Sequence, residues 1–237
     1  MSRISSTYID HMGDDLRTSN SARVSFKKKR DEFMFEGDPR VRPSGRSDEK
    51  LIHDLAAEGH IAPFGHSYAL FHIKAPIFVA RQLVKHKFLR WSEVSRRYVD
   101  EEPEFYTPDV WRGRSADKKQ GSEGVVNPEY NPQHLDGKIK YAYLQALDMG
   151  VAPEQARMLL PQSTMTEWYW SGSLDAFAAM CRLRCAPDTQ YESRVVANQI
   201  SEVMGKIFPV SWPCLMGHDD GEGYIPYAAL KGEKTND

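Results

Sequence analysis

The chain has 237 residues, of which 41% are hydrophobic and 27% are charged. This composition predicts a folded protein with a sizeable core and excludes an intrinsically disordered chain. The formal net charge of −2 excludes a whole-protein positive field, so neither a membrane nor a nucleic acid is expected as a partner.

The N-terminus and the cysteines indicate the compartment. No apolar run approaches the roughly 20 residues that cross a bilayer, and the first ten residues lack the apolar centre of a secretory signal. Three cysteines, an odd number, argue against a disulfide scaffold and for a reducing environment. We therefore expect a cytoplasmic protein with one domain spanning residues 1–237.

Two polar segments rich in Pro and Gly, at about 27–50 and 112–134, are predicted to be exposed loops. Between them, residues 66–74 alternate as in a β-strand, with Ala69, Phe71 and Ile73 on one face. Tyr68, Leu70 and His72 fall on the opposite face of this strand.

A helix is predicted directly after this strand, because Pro76 fits a first helical turn. Helical spacing gives an apolar stripe and, on a different face, three polar residues. The stripe comprises Ile77, Ala80, Val84 and Phe88, and the polar residues are Gln82, Lys85 and His86.

The C-terminal part is predicted to be mainly helical. A short helix opens at Pro153 and stops before Pro161, and Ser173 is a candidate cap for a helix through Cys185. A longer helix is expected over about 188–208. Because strand-rich and helix-rich stretches are only partly interleaved, the fold class is predicted to be α+β.

Residues 81–98 (RQLVKHKFLRWSEVSRRY) concentrate positive charge in an otherwise slightly acidic chain. Arginine beside serine suits a phosphate pocket, since a guanidinium fork bonds two phosphate oxygens. A solvated basic surface remains the alternative from composition alone. A second alternative is a non-enzymatic nucleotide- or RNA-binding module, although the interleaved aromatic platform of single-strand binders is missing.

Several motifs in order resemble those of the flavin-dependent thymidylate synthases. They begin with HIAPFGH at 60–66, HIKAPIFVARQ at 72–82, and Lys85-His86-Lys87 followed by Ser95 at the spacing of the family signature. Residues 12–26, 103–112, 154–163 and 183–192 resemble further blocks of the family. The resemblance covers most of the chain, with the two predicted loops as its gaps.

This resemblance implies an α+β homotetramer with active sites shared between subunits. It implies methylation of dUMP at C5, with FAD bound, methylenetetrahydrofolate as carbon donor and NADPH as reductant. The family uses no attacking thiol. Related chemistry on the same fold, namely C5 hydroxymethylation or methylation of another pyrimidine nucleotide, is the alternative.

The resemblance also implies roles for individual residues. Arg184 matches the catalytic arginine on the uracil, where a permanently charged guanidinium is suited to stabilise negative charge. The predicted substrate-binding residues are Gln82, Lys85, Glu93, Val94, Ser95, Arg96, Arg97, Arg157 and Arg184. The predicted flavin-contacting residues are Ala62, Lys85, His86, Lys87, Glu93 and Ser173.

Departures from the family pattern cluster on the flavin side. Lysine replaces arginine at positions 85 and 87, Gly65 replaces a glutamate, and Asp175 stands where relatives carry arginine. We therefore expect pyrimidine nucleotide binding to be intact and the flavin contacts to differ. No metal is expected, because Cys181 and Cys185 lack the paired short spacing with histidine that zinc sites show.

Overall fold

The computed structural model describes residues 4–43, 45–116, 122–127 and 132–217. Six strands and eight α-helices occur in these ranges. The strands are β1 (Ser5–Met12), β2 (Tyr68–Pro76), β3 (Leu89–Glu93), β4 (Trp111–Arg114), β5 (Ser122–Val126) and β6 (Met165–Ser173). The helices are α1 (Asp15–Arg23), α2 (Asp48–Ala57), α3 (Ile77–Leu83), α4 (Asp136–Asp148), α5 (Pro153–Ala156), α6 (Leu174–Arg184), α7 (Tyr191–Ile207) and α8 (Ser211–Met216).

The main sheet has four strands in the order β1-β2-β6-β3, and every neighbouring pair is antiparallel. Phe71 and Ile73 on β2 lie opposite Trp170 and Trp168 on β6. All four side chains are buried. The alternation predicted for residues 66–74 is therefore confirmed, with the strand displaced by two residues towards the C-terminus.

Helices α6 and α7 contribute to the core that covers this apolar face of the sheet. Phe177 on α6 makes edge contacts with Phe71 at 5.4 Å and with Trp170 at 5.7 Å between ring centroids. Trp91 on β3 stacks on Trp168 with a centroid distance of 4.3 Å. The antiparallel sheet with its packed helices confirms the α+β class.

In its described part, without residue 44, the loop predicted at 27–50 is irregular until α2 begins at Asp48, and a buried carboxylate anchors it. Asp48 pairs with Arg23 and with Arg30, at 2.8 Å in each case, and accepts the backbone N–H of Met34 at 2.9 Å. Burial acts to raise the pKa of Asp48, but hydrogen bonds from Arg30 and Arg23 dominate and lower it. The loop is therefore tied to α1 and α2.

The segment after α3 differs from the prediction. The helix ends at Leu83, and residues 84–88 form a turn that leads into β3, a strand not foreseen from the sequence. Of the predicted apolar stripe, Ala80 is buried, but Val84 and Phe88 are exposed. Lys85 and His86 consequently do not share a helix face with Gln82, because the chain leaves the helix before reaching them.

The second predicted loop, 112–134, contains a β-hairpin. Strands β4 and β5 pair only with each other among the described residues and are not hydrogen-bonded to the main sheet. Gly113 lies at a bulge in this pairing, where an added Cβ would stand 2.8 Å from the carbonyl oxygen of Glu123. The missing side chain is therefore what allows the two strands to approach.

The predicted C-terminal helices are confirmed with small shifts in their ends. Ser173 precedes α6 at the capping position, but its side chain makes no capping hydrogen bond. The short helix at Pro153 continues as a 3₁₀ turn over Arg157–Leu159. No helix within the described ranges combines the length and apolarity that a membrane span requires.

Candidate active site

Two clefts lie on either side of α3. Phe78 and Gln82 line one cleft, of about 860 Å³, together with Arg184. Their sequence neighbours Ile77 and Arg81 line the other cleft, of about 1160 Å³. We call them the Arg184 cleft and the Arg157 cleft, after an arginine in each.

The Arg184 cleft combines a half-buried cation with an unsatisfied acceptor. Arg184 is the last residue of α6, and its Nε donates to Nε2 of His86 at 2.9 Å. Gln82 Oε1 is buried and has no hydrogen-bond partner in the described part of the chain. A buried acceptor without a hydrogen-bond partner lowers the stability of the fold. Gln82 Oε1 is therefore suited to accept a hydrogen bond from a ligand.

His86 is a neutral neighbour of Arg184. Burial and the charge of Arg184 lower the pKa of His86 to about 4, so its ring is uncharged at neutral pH. Nε2 accepts from Arg184, which leaves the ring proton on Nδ1. Burial also lowers the pKa of Arg184, yet a guanidinium stays protonated. Arg184 therefore brings a full positive charge that no carboxylate neutralises within the described residues.

Glu192 is the single acidic residue among those described that line the Arg184 cleft. It is buried, and Arg112 on β4 forms an ion pair with its Oε1. The Tyr106 hydroxyl donates to the same oxygen at 3.4 Å, and Gln190 Nε2 donates to Oε2 at 3.4 Å. Burial and the charge of Glu192 raise the pKa of Tyr106 to about 12, so its hydroxyl remains a donor.

The Arg157 cleft presents exposed cations. Arg97 Nε donates to the hydroxyl of Ser95 at 3.2 Å, and Arg157 Nε donates to a backbone carbonyl at 3.2 Å. Arg81, Arg97 and Arg157 have no ion-pair partner within the described ranges. Three unpaired guanidinium groups and a serine hydroxyl form a donor set for an anion such as phosphate.

Acidic side chains also line the Arg157 cleft, but most of them are engaged elsewhere. Glu93 accepts from Trp91 Nε1 at 3.0 Å and from Thr166 Oγ1 at 2.8 Å. Lys74 forms an ion pair with Glu104 at 2.6 Å and a longer one with Glu167 at 3.7 Å. The arginines are therefore left available for a ligand despite the nearby carboxylates.

The structure thus divides the predicted nucleotide contacts into two groups. Gln82 and Arg184 line the Arg184 cleft. All the other predicted contacts except Lys85 line the Arg157 cleft. The second group comprises Glu93, Val94, Ser95, Arg96, Arg97 and Arg157. Lys85 is exposed in the turn after α3 and lines neither cleft.

The predicted flavin contacts are distributed over several elements and do not share one cavity. His86 and Lys87 line a cavity of about 260 Å³ with Asp175, whose Oδ1 is buried and has no described hydrogen-bond partner. Ala62 lines a separate cavity of about 670 Å³, and Ser173 is buried at the start of α6. The positive charge of Lys87 and the acceptor on Asp175 fit a flavin nucleotide, which carries phosphate oxygens and ring N–H groups.

Sequence reasoning missed three residues of the clefts. Arg81 lines the Arg157 cleft, and no role was predicted for it. Arg112 and Glu192 form an ion pair although they are 80 residues apart in the sequence. The only signal for Arg81 was its place in the basic segment. No local pattern indicates the Arg112–Glu192 pair, because it depends on the tertiary position of the hairpin.

Comparison with known proteins identifies the family. The family profile described as "Thymidylate synthase complementing protein" matches residues 7–210. A flavin-dependent thymidylate synthase of Thermus thermophilus is 36% identical over 213 residues, which span 89% of this chain and 74% of that protein. The enzyme of the same name from Kosmotoga olearia is 34% identical over 214 residues, covering 88% of each chain.

Solved structures point in the same direction. The UMP/dUMP methylase PolB from Streptomyces cacaoi, bound with 5-Br dUMP, superposes with a TM-score of 0.71 at 27% identity, covering 90% of this chain and 94% of that one. Its complex with 5-Br UMP gives a TM-score of 0.73 at 26% identity with the same coverage. The chain belongs to the family of flavin-dependent thymidylate synthases.

Proposed function

We propose that the chain methylates dUMP to dTMP, with FAD bound, methylenetetrahydrofolate as carbon donor and NADPH as reductant. Family membership supports the reaction class. The observation that carries the proposal is the pairing of an un-neutralised Arg184 with the unsatisfied Gln82 Oε1 in one cleft. The non-enzymatic RNA-binding alternative is set aside, because the family is one of enzymes.

The uracil ring complements the Arg184 cleft. Its carbonyl oxygens accept hydrogen bonds from the guanidinium, and its N–H is a donor for Gln82 Oε1. Carbon transfer at C5 requires negative charge on the ring, and a fixed cation in a partly desolvated cleft stabilises that charge without reorganising. Arg184 is therefore assigned the catalytic role.

The phosphate of the nucleotide is assigned to the Arg157 cleft. Ser95, Arg97 and Arg157 offer donors of the type that bind phosphate oxygens, and no carboxylate occupies these guanidinium groups within the described residues. Glu93 is held by Trp91 and Thr166 and is assigned a positioning role. Backbone and side chains of Val94 and Arg96 complete this wall.

Since base and phosphate contacts lie in different clefts of one subunit, we propose a homotetramer whose active sites combine clefts from two subunits. Gln82 and Arg81 are adjacent on α3 yet line different clefts, which supports this division. Such an assembly predicts complementation. At a dUMP concentration well below the raised KM of Arg157→Ala, the Arg184→Ala and Arg157→Ala chains are each strongly impaired alone. They regain activity when mixed, because some sites then receive two intact halves.

FAD is assigned to residues from several elements: Ala62, the turn residues Lys85, His86 and Lys87 after α3, Glu93 on β3, and Ser173 at the start of α6. A flavin supplies the reducing equivalents that convert the transferred carbon to a methyl group. The chain's own contribution is positive charge from Lys85 and Lys87, and a neutral His86 that keeps Arg184 in place. The three free cysteines suit a reducing cytoplasm, where we place the reaction.

UMP is the second candidate substrate, favoured by the structural similarity to a UMP/dUMP methylase crystallised with analogues of both nucleotides. The test is tritium release from C5-labelled dUMP and UMP in the presence of methylenetetrahydrofolate, NADPH and FAD. We expect release from dUMP, a thymidylate product by mass, and a flavin absorbance spectrum of the purified protein. A preparation that neither binds FAD nor releases tritium would contradict the proposal.

A further inference from the structure

The Arg184 cleft holds one potential competitor for its catalytic cation. Glu192 is the only acidic residue that lines the cleft in the part of the chain the structure describes. A carboxylate facing a half-buried guanidinium would form an ion pair with it, since the attraction is stronger where water is partly excluded. An Arg184 engaged in this way would have fewer donors and less net charge to offer a nucleotide base.

The hairpin offers Glu192 a different partner. Arg112 on β4 binds Glu192 Oε1, while Tyr106 donates to the same oxygen and Gln190 donates to Oε2, at 3.4 Å each. Glu192 is buried, with 4% of its surface exposed. Its negative charge is therefore matched locally, by a residue from a separate element of the fold.

Arg112 is itself held in place by contacts other than Glu192. Its Nε donates to Ser122 Oγ across the hairpin at 3.0 Å, and its guanidinium lies 4.4 Å above the centroid of the Tyr191 ring. A planar guanidinium makes these contacts and the ion pair at once, which a point charge does not. The hairpin thus presents Arg112 in one orientation towards Glu192.

We propose that Arg112 is a positioning residue that sequesters Glu192 and so keeps Arg184 free for the pyrimidine base. The inference rests on the proposed function, because it takes Arg184 to be the base-binding cation. It assigns a role to the β4–β5 hairpin, which begins at the end of the family-like block 103–112 and continues into the segment where the resemblance is interrupted. The hairpin then governs substrate affinity without contacting the reacting carbon.

The test is a double-substitution series in the full-length protein, with dUMP affinity measured by calorimetry and turnover by tritium release. Arg112→Met frees Glu192 and is expected to weaken dUMP binding by about tenfold or more, the size of a charged hydrogen bond. Glu192→Gln removes the competing charge and is expected to weaken dUMP binding less than Arg112→Met does. The double variant Arg112→Met/Glu192→Gln is expected to recover most of the affinity that Arg112→Met loses.

Rescue separates this role from simple anchoring of the hairpin. If the ion pair only fixes the hairpin, the double variant binds dUMP no better than Arg112→Met, and the proposal is wrong. Arg112→Lys keeps the neutralising charge without the fork, so it is expected to retain more affinity than Arg112→Met. If Arg112→Met does not fold, the Gly113→Ala series described next tests the proposal without it.

A glycine pair controls for hairpin disruption. Gly113→Ala places a Cβ against the carbonyl of Glu123 and loosens the hairpin, whereas Gly137→Ala on α4 meets nothing within 4 Å. Gly113→Ala is expected to weaken dUMP binding, and adding Glu192→Gln is expected to restore it; Gly137→Ala is expected to match wild type. If Glu192→Gln does not restore dUMP binding in the Gly113→Ala protein, the inference is wrong. Wild-type protein that does not bind dUMP would instead contradict the proposed function.

Discussion

The two clefts beside α3 use arginine in opposite ways. In the Arg184 cleft the charged groups are at least partly buried: Arg112 is paired with Glu192, and Arg184 keeps its full charge beside a neutral histidine. In the Arg157 cleft the guanidinium groups of Arg97 and Arg157 are unpaired among the described residues. A desolvated fixed charge is suited to stabilising charge on a ring, and a solvated cluster is suited to capturing phosphate. Each subunit thus has one cleft suited to the reacting base and a second cleft suited to binding the phosphate.

Arg184→Ala is the substitution with the largest expected effect. We expect turnover to fall by about 10²–10³-fold, as when one preorganised donor to a transition state is removed. Steady-state tritium release with saturating dUMP measures the fall. Arg194→Ala on α7 is the matched control, since Arg194 donates to a backbone carbonyl but lines neither cleft. Equal turnover in the Arg184→Ala and Arg194→Ala variants would show that Arg184 has no catalytic role.

Arg97→Ala and Arg157→Ala are expected to act on binding instead. Each should raise the KM for dUMP by about tenfold to hundredfold, the cost of losing a charged hydrogen bond, with a smaller change in kcat. Raising the salt concentration should weaken dUMP binding by wild type more than by these variants, because exposed charges are screened. A kcat loss as large as that of Arg184→Ala would erase the distinction between the two clefts.

The sequence predicts the central strand β2 and the C-terminal helices well, because their burial follows local periodicity. Ala69, Phe71 and Ile73 alternate on β2 and are all buried. Prediction fails at the turn after α3, where apolar Val84 and Phe88 continue a helical spacing that the backbone does not follow. Phe88 has a left-handed backbone conformation with φ of 64°, which no local propensity favours for phenylalanine.

The candidate site likewise has a part that the sequence predicts and a part that depends on tertiary structure. Family motifs identify Gln82, Ser95, Arg157 and Arg184, and all four line one of the two clefts. Their separation into two clefts depends on the direction of adjacent residues on α3 and is not readable from spacing. The partner of Glu192 is likewise set by tertiary structure.

The pH dependence of stability provides a smaller test of the Arg184 cleft. His86 has its pKa lowered from 6.5 to about 4 by burial and by Arg184, so the unfolded chain takes up this proton at a higher pH than the native one. Native stability therefore declines as pH falls from about 6.5 to about 4 and is restored above that range. Urea unfolding midpoints across this range measure the decline.

His86→Gln is expected to flatten this part of the stability profile, because glutamine keeps an acceptor for Arg184 but does not titrate. The depressed pKa of Asp48 gives a separate loss of stability below its ordinary value of 3.8, so the two groups act in different pH windows. An unchanged slope between pH 6.5 and pH 4 in His86→Gln would show that this histidine is not held neutral beside Arg184.

Replacing all three cysteines by serine is expected to have the smallest effect on catalysis. Within the described residues, no thiol lines either cleft, and Cys181 is buried in α6, where it donates to the carbonyl of Ala197 at 3.6 Å. Burial and Asp15 raise the pKa of Cys214 to about 12, so it carries no thiolate at neutral pH. The triple variant should keep most of its turnover, because none of the three thiols lines either cleft among the described residues. Loss of turnover in a variant that still folds, alongside a working Arg184→Ala protein, would shift the chemistry from guanidinium charge to a sulfur nucleophile.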